Sequence, residues 1–61
     1  MANMLTTKEA TIVADLLCYE EHACKKARLY SRTLIDPTLS ETFKNVADNH
    51  EKRFNALFEL L

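Results

Sequence analysis

A single proline, Pro37, interrupts a chain that contains no glycine at all. Without glycine, the left-handed backbone positions that tight turns and helix C-caps favour are hard to reach. The residue before a proline is in turn pushed out of the helical region. One break in an otherwise helix-favouring sequence predicts two helices. Asp36 suits the N-cap of the second, and Pro37 suits its first position, where a missing N–H leaves nothing unpaired. Helix 1 is expected over about residues 7–34, the turn at 35–36 and helix 2 over about 37–60. Thr6 followed by Glu9 fits a capping box at the start of helix 1. Arg28 and Arg32 fall near its end, where positive charge suits the helix dipole. The fold class expected is an all-α antiparallel helical hairpin.

The length of 61 residues allows one domain, residues 1–61, near the lower limit of what a single core stabilises. A formal net charge of −1 supplies no global field toward nucleic acid or an anionic membrane. The opening MANMLTTKEATIVADLL has no basic start and no sustained apolar run, so it reads as neither a signal peptide nor a membrane span. Two cysteines in such a chain suit reduced thiols in a cytoplasmic setting.

Each helix carries an apolar seam. On helix 1 it runs through Val13, Leu17, Cys24, Ala27 and Leu34. On helix 2 it runs through Leu39, Phe43, Val46, Phe54 or Leu57, and Leu61. Ile12, Leu16, Tyr19, Ala23 and Tyr30 widen the first stripe beyond what one partner helix can cover. Burying an apolar side chain is worth roughly 1.5–3 kcal/mol, whereas ordering each residue costs on the order of 1.5 kcal/mol. A lone hairpin with an uncovered stripe loses that contest. Pairing two hairpins into a homodimeric four-helix bundle covers both stripes. The alternative is a different protein that supplies the missing helices.

Two polar residues break the seams. Glu20 stands in the helix 1 series between Leu17 and Cys24, and His50 stands in the helix 2 series. In a hairpin turning at 35–36, residues at one level have numbers summing to about 70. Glu20 therefore falls level with His50, Ala23 with Ala47, and Leu16 with Phe54. Two readings follow. Glu20 and His50 satisfy each other inside the core, as buried polar groups require. Alternatively, a two-fold axis brings two Glu20 and two His50 together as ligands for zinc or iron.

The segments DLLCYEEHACKKARLY, DPTLSETF and HEKRFNALFELL carry a resemblance. Leu16–Leu17, Glu20, Tyr30, Asp36–Pro37–Thr38–Leu39, Phe43 and His50 resemble the pattern of the coat F family of spore coat proteins, which are helical and similar to the ferritin-like superfamily. That resemblance implies a ferritin-like bundle, association with the spore coat, and other coat proteins as partners. Ferritin-like carboxylate proteins build a di-iron site from an acid on one helix and Glu-x-x-His on the next, supplied twice. Glu20 matches the first acid and His50 the final histidine. Ala47 stands where the second Glu belongs, and Asp48 and Glu51 point away from the seam. The resemblance thus implies a remnant site, empty or holding a single ion, rather than a redox-active di-iron centre.

The remaining reactive side chains form no set. Cys18 and Cys24 lie on different faces of one helix and cannot bridge each other. His22 reads as solvated surface, and Tyr19 and Tyr30 as aromatics at the core edge. No nucleophile–base–orienter arrangement or phosphate-binding loop is present. Lys25, Arg28 and Arg32 share one face of helix 1, which a dimer would present twice, as the RNA-binding Rop protein does in a similar architecture. Glu21, one turn before Lys25, partly neutralises that stripe. The expectation is a non-enzymatic structural or interaction protein, cytoplasmic or in the spore coat. A metal-binding bundle through Glu20 and His50 is the first alternative and an RNA-binding dimer the second.

Overall fold

The computed structural model describes residues 4–61 as two helices, α1 (Thr7–Thr33) and α2 (Pro37–Phe58), folded into a hairpin. It forms a two-helix layer measuring 45 × 16 × 10 Å. The caps follow the sequence closely. The Thr6 hydroxyl accepts from Glu9 N at 3.0 Å, and the Glu9 carboxylate accepts from Thr6 N at 3.0 Å, closing the capping box. Asp36 accepts from Thr38 N and Leu39 N, with Pro37 next in the chain.

The C-terminal ends come slightly earlier than expected. Leu34 still bonds its N–H to Tyr30 but has extended backbone, so α1 stops at Thr33. The connection is therefore Leu34, Ile35 and Asp36. At the other end Leu60 and Leu61 bond three residues back, to Leu57 and Phe58. With no glycine to form a left-handed cap, the last turn tightens instead, and α2 ends at Phe58.

The register is the expected one. Ser40 Oγ donates to Ser31 O near the turn, and Tyr30 meets Phe43 edge to face with ring centroids 5.7 Å apart. Little of the molecule is enclosed. Val13, Ala27 and Ala47 are the buried apolar residues among those described, and Glu20 is buried with them. The α2 seam is centred on Ala47, which lies outside the series Leu39, Phe43, Val46, Phe54 or Leu57, and Leu61. Ala47 has no exposed surface, and the register sets it beside Ala23, where two small side chains let the helices approach. Phe43, Val46, His50, Phe54 and Leu57 are half-buried around it, while Leu39 and Leu61 are exposed. No helix among the described residues is long and apolar enough to cross a membrane.

Asp36 satisfies two N–H groups that α2 leaves open at its start. Asp36→Ala should destabilise the fold by about 1 kcal/mol in urea unfolding. Asp36→Asn, which keeps the accepting oxygen, should recover most of that loss.

Candidate functional site

Glu20 and His50 meet as their levels predict. Glu20 is the midpoint of α1 and is 7% exposed. His50 Nδ1 lies 2.5 Å from Glu20 Oε1, and Arg53 Nε donates to Glu20 Oε2 at 3.1 Å. Arg53 stands one turn after His50 on α2, so both partners of the carboxylate come from the opposite helix. Arg53 Nη2 also lies 3.0 Å from His50 Nδ1. That nitrogen cannot donate to Glu20 and accept from Arg53 at once. The hydrogen bond from His50 is the largest influence on Glu20. It holds the carboxyl below its ordinary value against the opposite pull of burial, and Arg53 acts in the same direction. An ionised Glu20 has no proton to give, so the hydrogen sits on His50 Nδ1. The Arg53 contact is then a close approach rather than a third bond.

The chemistry open to this group is narrow. Both carboxylate oxygens are occupied by N–H donors, and the positive charge beside them is the Arg53 guanidinium. No cluster of three or more His, Cys, Asp or Glu side chains that could hold a metal forms among the described residues. Within one chain Arg53 already supplies the positive charge that compensates Glu20. Tyr19 packs edge-on to His50 at 6.2 Å between ring centroids and is itself mostly exposed. His50 Nε2 makes no hydrogen bond among the described residues.

The basic stripe is largely neutralised. Arg28 bonds Asp48 at 3.3 Å and Glu51 at 2.8 Å across the helices, and Lys25 pairs with Glu21 at 3.2 Å. Arg32 remains exposed at the end of α1. The Arg28 guanidinium also reaches Cys24 Sγ at 3.7 Å, and that contact is the largest influence raising its pKa. Beside it an open groove of about 220 Å³ is lined by Glu21, Cys24, Lys25, Glu51 and Phe54. Cys18 is exposed and Cys24 half-buried, both as free thiols. His22 is exposed, with Nδ1 2.9 Å from Cys18 O.

Sequence reasoning missed two residues here. Arg53 lies one turn from His50 and so on the same flank, a spacing that signals a shared partner. The periodicity sets Arg28 in a surface stripe, yet it bridges the helices because a long side chain reaches past the seam. Comparison with family models, curated proteins and solved structures finds no match for this chain.

The depressed Glu20 fixes the sign of a pH effect. A carboxyl whose folded pKa lies below its unfolded one contributes stability at neutral pH, and that contribution is lost as pH falls through the folded value. Glu20→Gln should therefore cost about 1–3 kcal/mol at neutral pH. It should also flatten the acid limb of a plot of melting temperature against pH, which circular dichroism reads directly.

Proposed function

We propose that this hairpin is a non-enzymatic structural or interaction protein that works as a homodimeric four-helix bundle. The observation that carries the reading is that its two faces differ. About 100° of rotation per residue sets Ile12, Leu16, Tyr19, Ala23 and Tyr30 along one flank of α1. It sets Leu39, Val46, His50 and Leu57 along one flank of α2. The Tyr19–His50 and Tyr30–Phe43 contacts put both flanks on the same side of the layer. The opposite side carries the Arg28 pairs with Asp48 and Glu51. Ile12, Leu16, Tyr19, Tyr30 and Leu39 are each more than two-fifths exposed, so the apolar side lacks a cover.

The areas support a second copy as that cover. The chain exposes 4777 Å², whereas a compact protein of its 7.0 kDa mass exposes about 4,000 Å². The excess is close to the roughly 800 Å² that one partner contributes to a standard interface. The radius of gyration, 14.2 Å, also exceeds the roughly 10.5 Å of a compact chain this long and suits one about twice the length.

Within this reading Glu20 and His50 are structural. Glu20, buried and paired with both His50 and Arg53, ties α1 to α2 instead of binding zinc or iron. The balance of charge on the Lys25–Arg28–Arg32 face weighs in the same way against RNA binding. The resemblance of Leu16–Leu17, Glu20, Asp36–Pro37 and His50 to the coat F family supports a ferritin-like bundle placed in the spore coat among other coat proteins.

Sedimentation equilibrium should give twice the 7.0 kDa chain mass, with a melting temperature that rises with protein concentration. Val46→Lys should abolish both by placing a charge on the uncovered flank, whereas Lys52→Glu on the opposite side should leave both unchanged. A folded monomer at all concentrations would reject the bundle.

A further inference from the structure

We propose that the second copy seats midpoint to midpoint, so that the Glu20–His50–Arg53 groups of the two chains meet as one polar layer across the apolar interface. This rests on the two-copy reading above and adds how the copies are placed. A two-helix layer is covered on one face by its own copy in two closed two-fold ways. With the axis along the helices, α1 lies over the α2 of the second copy, and symmetry sets every level against itself. With the axis across the helices, α1 lies head to tail over the other α1, and the height of the axis decides the overlap.

The position of Glu20 removes the difference. It is the midpoint of the 27-residue α1. Covering the full 45 Å length of the face therefore sets a crossing axis at its level. His50 lies within one turn of the middle of α2. Both closed arrangements bring the same level of the two chains together, and in both every neighbouring pair of helices is antiparallel, which suits the helix dipoles.

The chemistry at that level favours coincidence. Glu20 and Arg53 balance each other within each chain, so two such groups meet without net charge from that pair. Tyr19 stands 62% exposed on the same flank, edge-on to His50. Its hydroxyl and the unbonded His50 Nε2 are groups that a facing copy or a shared water can satisfy. A staggered seating would instead press His50 of one chain against Leu57 or Leu39 of the other, leaving a polar group opposite apolar ones. A single polar level in an apolar interface selects register in the same way in coiled coils.

The test is a filtered NOE experiment on a dimer mixed from isotope-labelled and unlabelled wild-type chains. Midpoint seating predicts intermolecular NOEs to the Tyr19 and His50 rings. It also predicts them on both sides of that level, at Ile12 or Leu57 toward the open end and at Tyr30 or Leu39 toward the turn. Intermolecular NOEs confined to one end, with the two-copy mass intact, would overturn the seating and leave the two-copy reading standing. A folded chain of single-copy mass, with no intermolecular NOEs, would overturn both.

Discussion

Glu20 puts a carboxylate where the periodicity of α1 calls for an apolar side chain, and among the described residues its compensation comes from α2. His50 and Arg53 hold its two oxygens, one donor each, so the negative charge is satisfied in one alignment of the helices. Sliding α2 by a single turn would withdraw both donors and leave a buried charge unpaired, which costs several kcal/mol. An apolar contact at the same place would tolerate such a shift at little cost. The pair thus contributes less through its net strength than through the alternatives it excludes.

That selectivity matters because the rest of the hairpin specifies little. Three apolar residues are buried among those described, and two of them are alanines. The Arg28 bridges on the opposite side are partly solvated, and solvated ion pairs are typically worth no more than about 1 kcal/mol. A hairpin so thin would gain stability from a cover over its apolar side. The side it leaves open is the one on which Tyr19 and His50 stand. The same group therefore aligns α1 with α2 and lies where a second copy would be placed.

Much of this architecture is legible in the residues. Pro37 with Asp36 and the Thr6–Glu9 box mark both helix starts, because capping is local chemistry with few solutions. The Glu20–His50 level follows from counting back from the turn. The helix ends are less legible, since without glycine the last turns close by tightened bonds that no residue type announces. Arg53 and Arg28 were harder to place because long side chains reach beyond the flank their Cβ atoms define. The centring of the α2 seam on Ala47 was also hidden, because hydropathy favours the larger Phe43 and Val46 beside it. The covering partner depends on a surface outside the chain's own contacts, so periodicity reveals the width of the stripe but not what lies over it.

The whole arrangement requires Glu20 to be an ionised carboxylate fastened to His50 Nδ1. The most direct measurement is the nitrogen-15 spectrum of the His50 ring at mildly alkaline pH, compared between the wild-type chain and Glu20→Gln. An ionised Glu20 bonded to this ring predicts a hydrogen on Nδ1 and a bare Nε2 in the wild type, with the tautomer preference weakened by the substitution. A wild-type ring protonated at Nε2 and bare at Nδ1 would contradict it, because the carboxylate would then face a lone pair and could not hold the two helices in register.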